Sequence, residues 1–431
     1  MNLKSAAVLA PFLALYLTPG VASSPIDQTG GPAALVDLGD ESLEAAALQL
    51  AIDEVIPVDE AARQMANQER LIDQNMAAMA VLGDTYAGSY IDHSSGTLVV
   101  KGTSMESLNR VLLELGTPPD LKVQQAAQSK SYMENALWPE LRRELESAGI
   151  SASSAVFQVA SNRLEVRIPT DSAPVPPSFL ATNPEVSILR VDPEPATCNS
   201  DLGHLACTSP MRGGVYIKGA SHTACSAGFM VKSMTDSSHY ILTAGHCATG
   251  GDVENFTGLR VSDLQQVSIG KAHSSQYDPS HGSDSAIVHV TNTASWGSGT
   301  NNTVYVLASS EVIDDVRYVT TRNENYAITA ARYSSTLPVN SYLCRTGTSS
   351  GTKCGPFRGT EAGKTYLDFY ARVCSGDSGG PVYIAHTAHG IVSQMVGAVN
   401  GCTSAATGYT VAEEVRTALI ERNVWLNGVT P

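Results

Sequence analysis

Positive charge is scarce in this 431-residue chain: 27 Lys and Arg stand against 42 Asp and Glu, a net charge of −15. Nucleic-acid binding needs a basic face, so that class is set aside. No cysteine precedes Cys198, and the eight cysteines present include no paired C-x₂-C spacing of the kind a zinc site uses. After the first 25 residues no run is long and apolar enough to span a bilayer. Low complexity and long repeats of the kind wall proteins are built from are also missing.

The shortage of positive charge is uneven. Residues 1–210 carry 12 Lys and Arg against 26 Asp and Glu, whereas residues 211–431 carry 15 against 16. Two segments of different chemistry are joined. At the front, Lys4, an apolar run over 6–17 and the small residues 20–22 have the layout of a secretory signal, here residues 1–23. Pro11 interrupts the run, which is too short to cross a membrane. Export explains the even cysteine count, since an oxidising compartment allows disulfides. The expected location is therefore secreted and extracellular, with no membrane partner.

A Pro-, Gly- and Ser-rich tether occupies 24–40. Helical spacing follows through Met65, Ile72, Met76 and Met79, with Asp59 as the expected N-cap. "DTYAGSYIDHSSGTLVVKG" reads as a hairpin turning at 93–96. A second helical face, Leu137, Leu141, Leu145 and Ala148, leads to "VFQVASNRLEVRI", a hairpin turning at Ser161 and Asn162. Residues 41–168 thus read as a small α+β domain with a weak helix-then-hairpin repeat. Nothing in it gathers catalytic residue types. Seven prolines between 169 and 195 mark residues 169–210 as a linker. From 211 to 431 short Val, Ile, Tyr and Thr runs cut by Gly and Ser turns indicate a mainly β barrel or sandwich. Only the tail has helical spacing, through Val411, Val415, Leu419 and Val424.

"CSGDSGGP", residues 374–381, places Ser378 in a glycine-rich turn. A serine hydroxyl is a weak nucleophile without a base. Of ten histidines, His281, His289, His386 and His389 sit in turns or polar strands and read as solvated. His246 differs, lying in "YILTAGHCATG" between an apolar strand and Cys247. A disulfide from Cys247, most simply to Cys225, would pin the ring. The orienting carboxylate is Asp284, which opens the apolar strand "DSAIVHV"; Asp278, before a proline, reads as a turn former. "GDSGG" also fits the nucleophile elbow of α/β-hydrolases, but no histidine follows His389, and that fold needs one after the serine.

The blocks "ACSAGFMV", "YILTAGHC", "DSAIV", "CRTGTSSGTKCG" and "CSGDSGGPVY", in order from about 212 to 410, resemble the chymotrypsin-like serine peptidases. The resemblance is to the secreted bacterial branch typified by streptogrisins and α-lytic protease. The N-terminal half more loosely resembles that branch's pro-region. The resemblance implies two six-stranded antiparallel β-barrels over 211–431, with catalytic His246, Asp284 and Ser378 meeting in a cleft. It implies an oxyanion hole from the Gly376 and Ser378 amides, and Arg345 supporting Asp377. It further implies disulfides Cys225–Cys247, Cys344–Cys354 and Cys374–Cys402, which leaves Cys198 and Cys207 to each other. The implied activity is a serine endopeptidase acting on protein or peptide substrates. It would be monomeric and free of metal or organic cofactor, with its own pro-region as intramolecular chaperone and inhibitor.

Two departures concern substrate binding. The family strand ending Ser-Gly-Gly is here Ser393, Gln394 and Met395, and Arg372 stands where a small or polar residue is usual. Met395 is expected to narrow the specificity pocket, favouring small or medium apolar residues; Arg372 either selects acidic residues or is a rim charge. A rival reading from another class is a non-catalytic homologue that binds partners through the altered pocket.

Overall fold

The computed structural model describes residues 34–36, 38–150, 154–190, 194–195, 206–207, 210–221, 224–251, 253–260, 265–297, 302–307, 310–313, 316–319, 323–399, 401–403 and 408–431. The expected leader, most of the tether and Cys198, and with it the expected Cys198–Cys207 pairing, lie outside the described residues. No helix among those residues is long and apolar enough to cross a membrane.

Helix α1 (Glu41–Glu54) begins where the Asp40 carboxylate accepts from the amides of Ser42 and Leu43, at 2.9 and 3.0 Å. In α2 (Val58–Leu82) the cap position belongs to Pro57, whose fixed φ suits a helix entry. Asp59, expected at the cap, lies inside the first turn instead, where its charge complements the helix dipole. Strands β1 (Tyr86–Asp92) and β2 (Thr97–Gly102) make the first hairpin. Helix α3 (Met105–Glu114) then returns the chain to β3 (Leu121–Gln125), parallel to β2.

The same order recurs. Helix α4 (Trp138–Ser147) precedes the hairpin β4 (Ser154–Gln158) and β5 (Arg163–Ile168). Then α5 (Pro177–Thr182) leads to β6 (Val186–Arg190), parallel to β5. The repeat is therefore larger than its helix-then-hairpin trace, because each unit ends in a helix and a parallel third strand. The stretch 169–190, expected as linker, folds as the end of the second unit. Its prolines at the start of α5 cost no hydrogen bond there, and Phe179 and Val186 are buried in that unit's core.

The C-terminal half is mainly β with the chymotrypsin-like arrangement. After β7 (Glu194–Pro195), a nine-stranded sheet contains β8 (Tyr216–Gly219), β9 (Cys225–Ser226), β10 (Met230–Ser233) and β11 (His239–Ala244). It continues with β12 (Asn255–Arg260), β13 (Gln266–Asp278) and β14 (Ser283–Val290). Paired neighbours run β9-β8-β12-β13-β14-β11-β10. The second sheet holds β15 (Tyr342–Gly347), β16 (Gly351–Thr360), β17 (Tyr366–Phe369), β18 (Pro381–Ile384), β19 (Thr387–Val396) and β20 (Tyr409–Glu414). Pairing of β19 with β20 closes those six strands into a barrel.

The expectation of two closed barrels needs correcting for the first sheet. Its ladder runs from β9 to β10 and continues onto the strand 424–426, so it does not simply close on itself. Between β9 and β10 the chain still bonds to both sides, Ala227 to Gly214 and Val215, and Gly228 and Phe229 to Leu242, while Ser226 donates its amide to Ser378 O (2.7 Å) and its hydroxyl to Gly376 O (2.8 Å). A Cβ on Gly228 would lie 2.5 Å from Leu242 O and 2.7 Å from Gly379 O, which only glycine avoids. The tail, expected as one helix, is β20, then α6 (Val415–Glu421), then β21 (Val424–Leu426). Glu414 caps α6 by accepting from Thr417 N at 2.9 Å, which fixes the helix start at Val415.

Both N-terminal sheets dock edge-on. Val339 exchanges backbone bonds with Ser89 and Ile91 (2.9 and 2.8 Å), and Ala362 N donates to Ala155 O (2.6 Å). Beside the latter, Arg167 of β5 is 2% exposed and pairs with Glu361 (2.8 Å) and, more closely, with Asp368. Further along, β7 lies antiparallel on β19, with Pro195 opposite Gln394 and Glu194 opposite Met395.

Candidate active site

His246 occupies the short turn Gly245–Ala248 at the end of β11. Gly245 is required there, because a Cβ would run into the Gln276 carbonyl of the neighbouring strand. The Cys225–Cys247 disulfide ties the turn to β9. His246 Nδ1 lies 2.8 Å from Asp284 Oδ2, and His246 N donates to Asp284 Oδ1 at 2.8 Å. A carboxylate only accepts when ionised, so Nδ1 carries the proton and Nε2 presents its lone pair. His246 Nε2 is buried and without a hydrogen-bond partner among the described residues. The Tyr277 ring packs edge-on against the imidazole at 5.7 Å.

Asp284 is fully buried at the start of β14. Besides His246, its Oδ2 accepts from Ser393 Oγ at 2.5 Å, and its amide donates to Glu413 Oε2 at 2.7 Å. Two strands of the closed barrel thus grip an aspartate of the other sheet. Asp278 is elsewhere: it holds its own turn through Ser280 and His281, and those hydrogen bonds push its carboxyl down to about 2.

Ser378 is fully buried in the turn before β18. Gly376 adopts φ +100° and Gly379 φ +81°, conformations a side chain disfavours. A Cβ on Gly379 would clash with Thr243 and Ser226, so this turn lies directly on the end of the strand that carries His246. Asp377 points the other way. It accepts from Arg345 Nη1 (3.0 Å), Ser349 N (2.9 Å), Ser350 N (3.1 Å) and Cys374 N (2.8 Å). Arg345 also donates to Gly351 O (3.1 Å) and to the Arg372 carbonyl. The Cys344–Cys354 and Cys374–Cys402 disulfides brace the two sides of this loop.

The residues expected to bind substrate are dispersed. Ser393 faces Asp284; Met395 is 1% exposed and packs in the barrel core with Ala371 and Val373; the Arg372 side chain is exposed. His389, read as solvated, is fully enclosed, and burial pushes its imidazole down to about 3. Glu413 and Tyr277 were missed. The trace that could have found Glu413 is an acid inside the apolar strand "YTVAEE". Among the described residues one His/Cys cluster, Cys225, His246 and Cys247, is dense enough to suit a metal. Its sulfurs are consumed by the disulfide, so no thiolate is on offer.

A histidine held by a buried acid beside a glycine-framed serine, on a chymotrypsin-like scaffold, defines a serine-peptidase architecture. The chain is a member of the trypsin family of serine peptidases, carrying an N-terminal pro-domain. Residues 206–419 match the family described as Trypsin, and residues 59–112 match Alpha-lytic protease pro N-terminal. Streptogrisin-C of Streptomyces griseus is 26% identical over 416 residues, covering 94% of this chain and 79% of that protein. Among solved structures, a glutamic acid specific serine protease aligns at 21% identity, covering 50% of this chain and 100% of its own, with a TM-score of 0.37. Thermobifida fusca Protease A aligns at 20% identity, covering 52% and 100%, with a TM-score of 0.36.

Proposed function

We propose that this chain is the precursor of a secreted serine endopeptidase that works through an acyl-enzyme. Ser378 Oγ attacks the scissile carbonyl while His246 Nε2 takes its proton, then returns it to the leaving amine. Water repeats the sequence on the ester and frees the enzyme. Asp284 keeps the imidazole in the required tautomer and stabilises the imidazolium. The amides of Gly376 and Ser378 bind the oxyanion, each such donor being worth ~3 kcal/mol. The observation that carries the reading is His246 itself: Nδ1 engaged by a buried carboxylate, Nε2 open, on the strand end against which the Ser378 turn packs.

The α+β half acts as pro-region, chaperone and inhibitor. Strand β7 lies on β19 beside Ser393 in the manner of a bound substrate, which favours cleavage shortly after Pro195 over cleavage near Met211. Cys198 and Cys207 then stay with the enzyme. With Met395 standing where the family strand has glycine, the pocket suits small or medium apolar residues before the scissile bond. A peptide-library profile checks this; a clear preference for Phe, Tyr, Lys or Arg contradicts it.

The decisive experiment labels the secreted product with a serine-directed phosphonate and weighs it. Wild type gains one adduct and has lost the first ~195 residues, the point to which β7 extends along the chain, whereas Ser378→Ala gains none. A folded wild-type protein that stays unlabelled would make the chain a binding homologue instead.

A further inference from the structure

Two adjacent glutamates, Glu413 and Glu414, sit in a strand whose six residues are all buried. Glu414 has its work as the cap of α6. Glu413 does not pair with a cation among the described residues. It is 0% exposed, its Oε2 accepts from the amide of Asp284 at 2.7 Å, and its Oε1 is enclosed without a partner. Strand β20 places it opposite Tyr366 on β17 and Ile391 on β19, so it reaches out of the closed barrel toward β14. A carboxyl group in that position is unexplained by packing, since an apolar residue would fill the space without stranding Oε1.

We propose that Glu413 is a positioning residue for the triad, fixing the Asp284 backbone from the closed barrel while Ser393 fixes the Asp284 carboxylate. The inference rests on the reading of Asp284 as the acid of the triad. The charged and titratable groups around Glu413 are Asp284, Tyr366, Glu421 and Arg422, and Arg422 is already engaged by Ser274, Gln276 and Glu421. Burial first, then the Asp284 charge, pushes the Glu413 carboxyl well above the usual carboxylate range. Glu413 therefore holds its proton more tightly than an ordinary carboxylic acid, while its Oε2 keeps the Asp284 amide in place. Raising the pH through the Glu413 ionisation would set a second anion against Asp284 and misalign it.

The test compares kcat, KM and pH profiles of wild type, Glu413→Gln and Glu413→Leu in the full chain after processing. Glu413→Leu removes the acceptor for the Asp284 amide and lowers kcat by roughly 10–100-fold with KM little changed, the scale expected of a small misplacement. Glu413→Gln keeps an acceptor, loses only about a few-fold in kcat because an N–H₂ replaces the acid O–H, and abolishes an alkaline inflection present in wild type. Its acidic limb keeps the wild-type midpoint. Wild-type kcat in Glu413→Leu, or an acidic limb shifted to lower pH in Glu413→Gln, overturns the inference. If Glu413→Leu does not fold, the Glu413→Gln profile decides. Absence of phosphonate labelling in wild type would sink the peptidase reading itself, a result separable from either Glu413 outcome.

Discussion

Two buried arginine–carboxylate clusters hold this molecule together, and they are built differently. Around Arg345 and Asp377, both fully buried, the aspartate takes several backbone amides besides the guanidinium. Around Arg167, Glu361 and Asp368, one oxygen of each acid, Glu361 Oε2 and Asp368 Oδ1, is enclosed with no hydrogen-bond partner. The first cluster lies wholly within the protease half. The second joins the pro-domain to it, and any cut after β7 leaves Arg167 on one fragment and both acids on the other. Both Asp377 oxygens are paired, although Arg345 Nε is enclosed without a partner; at the junction the shortfall falls on the acids themselves, as suits a contact that has to come apart.

The largest effect that could break this comparison is Arg345→Met. Stranding Asp377 costs ~3–5 kcal/mol, so the variant unfolds at markedly lower denaturant concentration and yields little active enzyme. Unchanged stability would remove the distinction between the clusters. Arg167→Met acts on the junction instead. It speeds dissociation of the processed N-terminal fragment, followed by gel filtration, by about 30-fold, or ~2 kcal/mol, and leaves the separated enzyme's turnover alone.

Acidity sharpens the same contrast by a smaller amount. Burial and the neighbouring Asp368 push the Glu361 carboxyl up, while Arg167 pulls it down. Separation uncovers Glu361, because Ala155, Val156 and Arg167 leave with the pro-domain. Burial is the larger influence, so its loss lets the carboxyl fall back toward its ordinary range, and association takes up protons and tightens as pH falls. The wild-type fragments separate faster as pH rises, and Arg167→Met, which removes the opposing pull, steepens that dependence. A fragment complex that loosens in acid would contradict the sign.

Local chemistry decided what could be read before the fold was known. His246 and Ser378 stand in short stretches whose glycines and cysteines are forced by close backbone approach, so the surrounding sequence announces them. Asp284 was legible because an acid opening an apolar strand has few other reasons to be there. Glu413 was not, because its partner lies on another sheet and no spacing links positions 284 and 413. Residues 169–190 were misread because proline density signals a linker, although prolines at a helix start fit without cost. The tail was misread because Val411, Val415 and Leu419 satisfy helical spacing while Glu414 sets the actual boundary between strand and helix. The Ser226 bonds to the Ser378 loop are long-range and leave no local trace.

The central claim is that the Ser378 hydroxyl and the His246 imidazole act as one chemical unit. Turnover of Ser378→Ala, His246→Ala and the double variant on a single peptide substrate tests it most directly. A unit loses on the order of 10⁶-fold in kcat from either change and almost nothing more from both together. Losses that multiply in the double variant, or substantial turnover in either single one, would mean that the two groups do not share a reaction.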